Sequence, residues 1–304
     1  MTWLQGKKLD FAIIGAAKSS TSAVSDYLDL SDEIHIMKPK DGQVFMGGEQ
    51  PPSWCGPGDE VVVDKMVRAR EGYVPQLKSV SSGVKVADSS VFHMTSREAM
   101  LRLKASLEDD GFVIILLRRP DERAYSAYSH MVRDGLETES FKAAVELESQ
   151  RKAAGWQPIW QYIGLGFYYD QVRAAFEVFG RDNVHVILFE DVTNDVVGSL
   201  RPVLERLGIE KNLGSSLYQV NSGGRVRSRA LYKFLSEKNF LKDIGKRFVS
   251  RRLWLAVRTK LEVANLDRGE LSRADGEWLS SIFEQDVLKL QSLIGRDLSG
   301  WLVP

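Results

Sequence analysis

The 304-residue chain contains a single cysteine, Cys55, and only four histidines, and these scarcities exclude a good deal. A lone cysteine cannot close an intramolecular disulfide and leaves no Cys-based zinc site. His35, His93, His130 and His185 are scattered without HExxH or HxH spacing, so no dedicated metal site is expected. A surplus of one charge is missing as well. The 41 Lys+Arg stand against 41 Asp+Glu, whereas a dedicated nucleic-acid binder carries a large basic excess. Long apolar runs are absent: stretches such as Phe112 to Leu117 have the length of a strand and fall short of a bilayer. Met1 to Asp10 hold no apolar stretch of the secretory kind. The expectation is a soluble, cytoplasmic protein without a transmembrane segment or a nucleic-acid partner.

What is present is a succession of short apolar runs and amphipathic stretches. Phe11 to Ile14 ends in Gly15 and opens onto Ser/Thr-rich sequence, and Ser19 to Leu30 then carries Val24, Tyr27 and Leu28 at helical spacing. Val61–Val63, Val84–Val86, Val113–Leu117 and Val184–Phe189 read as further strands. Helical patterns cover Arg123–Asp134, Phe141–Lys152, Tyr168–Phe179 and Gly276–Ile294. Strands alternating with helices define the expected fold class. It is α/β, a single domain over residues 1–304, with a P-loop-like central parallel sheet flanked by helices. Residues 49–59, rich in Pro and Gly, and residues 221–224 are loops, and the latter opens a basic tract with 12 Lys/Arg against two acids between Arg225 and Lys260.

Two motifs carry chemistry. Ile14 to Ser22 is a strand, a turn and a helix start. Free N–H groups, the helix dipole and the Lys18 charge there make an anion site, with Ser19, Thr21 and Ser22 as hydroxyl donors. A capped helix beside an exposed lysine would present the same residues. GxxxxGK[ST] is absent, so this is not a nucleoside-triphosphate P-loop. The second motif runs from Val113 to His130. A buried strand delivers Arg118 and Arg119 to its C-terminal end, where ligands bind in open α/β sheets, and Ser126 follows on the next helix. Two anion sites on two strands suggest one ligand with two phosphate groups.

These segments resemble the sulfotransferases that use 3′-phosphoadenosine-5′-phosphosulfate (PAPS). Lys18-Ser19-Ser20-Thr21-Ser22 is similar to their 5′-phosphosulfate loop, and Arg118 to Tyr128 to their 3′-phosphate motif, RNPxxRAxSxY. Lys40–Phe45 resembles Lys-Glu-Pro-His-Phe-Phe, Ala87–Ser90 resembles Gly-Glu-x-Ser, and Gly166–Val172 resembles GxYxxQL. Leu188–Val192 and Gly295–Trp301 match the later segments, so the order of motifs spans almost the whole chain. The flavour is that of the bacterial group related to heparan-sulfate sulfotransferases. Ser20 stands where glycine is usual, Arg119 where asparagine is, and aspartate replaces glutamate at 41 and 88.

The resemblance implies PAPS as co-substrate, no metal, and in-line transfer of a sulfuryl group to an acceptor. The acceptor group is a hydroxyl in preference to an amine, on a glycan, a glycolipid or a small natural product. Lys18 is then the group that stabilises the leaving oxygen. Ala17, Lys18, Ser19, Ser20, Thr21 and Ser22 hold the 5′-phosphate, and Arg118 and Ser126 the 3′-phosphate. Arg225 and Arg227, within a loop at 221–229, close over the cofactor. Asp41 aligns with the carboxylate base of heparan-sulfate-type enzymes, while His93 competes for that role. Residues 43–59 and 156–165 are the acceptor-facing loops. A P-loop kinase of a small metabolite and a non-catalytic nucleotide-binding relative are the alternatives.

Overall fold

The structure is a computed structural model that describes residues 8–48, 50–210, 225–226, 266–267 and 271–303. Five strands form one all-parallel sheet: β1 (Leu9–Gly15), β2 (Ile34–Ile36), β3 (Lys85–Ser89), β4 (Leu107–Leu117) and β5 (Val184–Leu188), in the order β2-β3-β1-β4-β5. Phe11 pairs with Ala87 on one side and Phe112 on the other, which fixes β1 at the centre of the sheet. Both faces of the sheet are covered, so its strands read as unbroken apolar runs rather than alternating ones.

Alternation still decides which side chain goes where. Phe11 and Ile13 of β1, with Phe112, Ile114 and Leu116 of β4, meet α1 (Thr21–Leu28), α8 (Phe189–Asn194) and α9 (Val196–Arg206). Ala12 and Ile14, with Val113, Ile115 and Leu117, face the other layer. That layer holds α2 (Asp59–Ser79), α3 (Arg97–Lys104), α4 (Pro120–Arg133), α5 (Phe141–Glu146), α7 (Tyr168–Phe179) and α10 (Arg273–Ile294), with α6 (Glu148–Ala153) at its margin. Each fully buried Ile, Leu or Phe contributes roughly 1.5–3 kcal/mol. Two short strands, β6 (Arg225–Val226) and β7 (Leu266–Asp267), pair antiparallel, and β6 lies against α4.

The α/β architecture is the one expected. The strand expected at Val61–Val63 is instead the start of α2. Three consecutive β-branched residues favour a strand locally. The helix prevails because Val62, Met66, Ala69, Tyr73 and Leu77 recur at helical spacing and pack against the sheet, while Val61 points to solvent at 62% exposure.

From β1 the chain crosses first towards β2 and β3, then returns past β1 to β4 on its other side. The loops that leave β1 and β4 therefore part at a topological switch point, where an open crevice forms at the C-terminal edge of the sheet.

Candidate active site

Four chain segments meet at that crevice: the loop after β1 with Lys18, the turn after β2 with Asp41, the end of β3 with Asp88, and the end of β4 with Arg118. Two of them are conformationally committed. Lys18, Ser20, Asp41 and Gln43 are the non-glycine residues with positive φ among those described, at 71°, 64°, 55° and 48°. Such conformations cost of order 1 kcal/mol or more and persist where the surroundings dictate them.

The Asp41 turn is clamped from several sides. The Asp41 N–H donates to the Ser89 carbonyl at 2.7 Å, Gln43 N–H donates to Ser90 Oγ at 3.1 Å, and Phe92 N–H donates to Gln43 Oε1 at 3.3 Å. Helix α2 lies directly on top: a Cβ at Gly42 would stand 2.6 Å from that of Ala69. Farther along α2, Arg70 donates to the carbonyls of Val44, Met46 and Gly48, and Gln76 exchanges bonds with Lys38. Close packing of α2 on Gly42 brings Lys65, one turn before Ala69, to Asp41.

Lys18 and Asp41 lie in each other's field. Lys18 is half-buried, and no hydrogen bond or ion pair among the described residues engages its Nζ. Burial first, then the positive charges of Arg133 and Arg118, bring its pKa down to about 8, with Asp134 and Asp41 opposing. Burial pushes the Asp41 carboxyl up. Lys65 opposes that most, followed by the Val91 amide, Lys40 and Lys18. Lys40 itself is committed to Asp26 and the Ser22 carbonyl.

One stripe of α4 faces this cleft. Glu122, Ser126, His130 and Arg133 are spaced four, four and three residues apart, which puts them on one side of the helix. At the near end Arg118 donates twice to Glu122 Oε2, from Nε at 3.0 Å and Nη2 at 2.8 Å, and its guanidinium lies 4.5 Å over the Phe189 ring. Ser126 is one turn on and half-buried. At the far end Arg133 bonds His130 Nδ1 and Asp134, beside Lys18. Burial and the neighbouring Lys18 bring the His130 pKa to about 3, so the ring is neutral. Arg119, in contrast, turns away: it pairs with Asp121 at 2.6 and 2.9 Å and reaches the Val303 carbonyl.

The remaining expected residues are placed as follows. Ala17 and Thr21 are buried, Ser20 and Ser22 half-buried. Ser19 is fully buried with its Oγ turned inward, without a hydrogen bond of good geometry. His93 is also fully buried, edge-on to Phe45 at 5.3 Å, with Nδ1 3.4 Å from Asp88 Oδ2. Desolvation lowers its pKa to about 3 and raises that of Asp88 to about 7, where Tyr73 donates to Oδ1 at 2.9 Å. The structure therefore brings Lys18, Asp41, Arg118 and Ser126 to one cleft and leaves the His93 ring behind it. Arg225 belongs to β6, whose backbone lies against α4, and Arg227 falls outside the described residues. The two loops expected to face the acceptor are tied together, since Asp59 Oδ2 accepts from Gly56 and Gln157 N–H, both at 2.8 Å.

Lys65, Glu122, Arg133 and Asp134 also stand at the site, beyond the residues expected from the sequence. The spacing within α4 was the available signal for two of them. Among the described residues, no group of three or more His, Cys, Asp or Glu side chains is arranged to hold a metal, and no helix is long and apolar enough to cross a membrane.

Neither a protein-family profile nor a curated protein matches the chain. Solved structures do. Over 97% of this chain and 98% of the other, the structure is similar to the crystal structure of a sulfotransferase from Alicyclobacillus acidocaldarius, with a TM-score of 0.75 and 28% identity. Looser likenesses include a sulfotransferase domain from the curacin biosynthetic pathway (TM-score 0.44, 12% identity, 67% and 75% of the two chains). A mouse sulfotransferase complexed with PAP is another (TM-score 0.41, 19% identity, 69% and 63%). The full-length likeness, on a chain whose motifs run in the sulfotransferase order, defines the class: this is an enzyme of the sulfotransferase type.

Proposed function

We propose that the chain transfers the sulfuryl group of PAPS to a hydroxyl of a small-molecule or carbohydrate acceptor. The observation that carries this reading is that Lys18 and Asp41 lie in each other's field at one cleft, with Arg118 near enough for its charge to act on Lys18. Lys18 is a charge without a bonded partner among the described residues, at the end of the central strand and flanked by further cations, a setting suited to a polyanion.

PAPS supplies an activated sulfur whose bond to the 5′-phosphate oxygen is the one that breaks. Asp41 takes the proton of the acceptor hydroxyl as that oxygen forms its bond to sulfur, and Lys18 stabilises the negative charge that develops on the departing phosphate oxygen. The products are the sulfate ester and the 3′,5′-bisphosphate PAP. The loop backbone from Ala17 to Ser22 and the Thr21 and Ser22 hydroxyls hold the 5′-phosphate. Arg118 and Ser126 hold the 3′-phosphate, with Arg225 and Arg227 closing over the nucleotide. This work is positioning and charge stabilisation, as in phosphoryl transfer. Asp41 is favoured over His93 as base because His93 has no exposed surface for an acceptor to reach and desolvation, holding its pKa at about 3, leaves the ring a weak proton acceptor. A glycan, glycolipid or natural-product hydroxyl fits equally, and a cytoplasmic setting suits the donor.

Thermal unfolding with PAP, with ATP–Mg²⁺ and without ligand tests the donor, and transfer of radiolabelled sulfuryl from PAPS to a panel of hydroxyl acceptors tests the reaction. Stabilisation by PAP and not by ATP–Mg²⁺ is expected. The reverse preference overturns the proposal.

A further inference from the structure

The proposed donor carries phosphates at both ends of its ribose, so its two subsites must keep a fixed separation. Those subsites belong to different segments, the loop after β1 and the end of β4. Between them stands Tyr168, fully buried at the start of α7. Its hydroxyl donates to the carbonyl of Arg118 at 3.0 Å. Burial raises the tyrosine pKa to about 12, and the buried Ser19 hydroxyl is among the neighbours that hold this rise back, which places it beside the same oxygen. The two oxygens do not meet the geometry of a full hydrogen bond. A tyrosine hydroxyl has one proton, here spent on Arg118, and lone pairs left to accept from Ser19.

The tyrosine is itself held rigidly. Its N–H donates to Asp286 of α10 at 2.8 Å, and that of Tyr169 donates to the same carboxylate at 3.2 Å. The ring stands edge-on to Trp301 at 6.3 Å, and Gly166 packs so tightly that a Cβ there would come within 2.7 Å of the Phe283 ring. Arg123, buried with Nε and Nη1 unbonded and Nη2 donating to the Tyr162 carbonyl, adds a positive charge near the tyrosine oxygen.

We propose that Tyr168 is a positioning residue that fixes the spacing of the two phosphate subsites, through the Arg118 carbonyl on one side and Ser19 on the other. The inference rests on the PAPS reading above. It assigns Ser19 a role through Tyr168 rather than through direct contact with phosphate. Without the tyrosine hydroxyl, the part-buried Arg118 carbonyl loses that donor and the backbone that aims Arg118 is released.

The test is calorimetric binding of adenosine 3′,5′-bisphosphate and adenosine 5′-phosphate to the full chain, read as the ratio of the two affinities. That ratio isolates the 3′-phosphate, and a general loss of stability would not move it. Tyr168→Phe is expected to lower the ratio about tenfold while 5′-phosphate affinity stays within about twofold. Ser19→Ala is expected to lower the ratio too, with little further loss when added to Tyr168→Phe. An unchanged ratio in folded Tyr168→Phe overturns the proposal. Should that variant not fold, Ser19→Ala decides: equal losses for both nucleotides mean that Ser19 touches the 5′-phosphate itself, which overturns it as well. A parent chain with no preference for the bisphosphate overturns the PAPS reading, and this proposal with it.

Discussion

Arg118 spends two of its guanidinium donors on one oxygen of Glu122, at 3.0 and 2.8 Å. The residue proposed to receive the 3′-phosphate is thus already partnered by a carboxylate four residues on, and both side chains remain partly exposed. A phosphate entering this end of the cleft must share Arg118 with Glu122 or displace it.

Glu122→Gln should therefore strengthen nucleotide binding. Partly exposed pairs of this kind are worth about 0.3–1 kcal/mol, so PAP affinity should rise roughly two- to fivefold by titration calorimetry. A fall in affinity would show that Glu122 orients Arg118 for the ligand instead of competing for it.

Lys18 sets a pH limit of definite sign. Its pKa is lowered, chiefly by burial, to about 8, and only the protonated amine attracts phosphate. PAP affinity should therefore be flat just above neutrality and decline as pH passes about 8. In Lys18→Arg the decline should vanish, because the guanidinium stays charged. Lys18→Ala should lower kcat by on the order of 10²–10³, the usual loss for one donor aimed at a developing oxyanion. A PAP affinity independent of pH between 7 and 9 in the parent chain would count against this assignment.

The anion loops were legible in the sequence because they occur where short apolar runs stop, and strand ends are where an open α/β sheet places ligands. Lys18 and Arg118 follow from that placement, whereas Asp41 is reached only through the resemblance of Lys40–Phe45 to the sulfotransferase segment. Helix α2 was not legible from Val61–Val63 alone, where local β-propensity points one way and the longer stripe through Met66, Ala69 and Tyr73 the other. Lys65 was lost with it. The inward turns of Ser19 and His93 have no sequence signal at all, because what covers them, Tyr168 and Phe45, lies 149 and 48 residues away in the chain.

Lys65 gives a prediction on the acid side. Burial raises the Asp41 pKa and Lys65 is the strongest charge opposing that rise. Lys65→Met removes the opposition, so a higher pH is needed to ionise Asp41, and the acidic limb of the kcat/KM profile should move upward. Affinity for PAP should change little, since Lys18 and Arg118 are untouched. An acidic limb that stays in place would remove Asp41 from the proton-transfer step or Lys65 from its neighbourhood.

The assignment of the base rests on burial, and a pair of substitutions separates the two candidates. Asp41→Asn keeps the shape of the turn and removes the proton acceptor, so transfer should fall steeply while PAP binding persists. His93→Ala empties space behind Phe45 and beside Asp88, and its effect should appear as a stability loss of roughly 1–3 kcal/mol, usual for a damaging core substitution. The state of the ring can be read directly by nitrogen-15 NMR. With its pKa lowered to about 3 by desolvation, His93 should remain neutral at pH 5, where an exposed histidine is charged. Neutral His93 contributes stability that is complete above its unfolded pKa of about 6.5 and is lost as pH falls towards 3. Asp88, raised to about 7, runs the other way: its contribution is complete below the ordinary carboxylate range and is lost as pH rises through 7. Asp88→Asn should therefore raise the unfolding temperature at pH 8 relative to the parent and not at pH 4. Full loss of transfer in a His93→Ala variant with parental unfolding temperature and parental PAP affinity, together with an active Asp41→Asn, would move the base to His93 and require the ring to leave its buried place during the reaction.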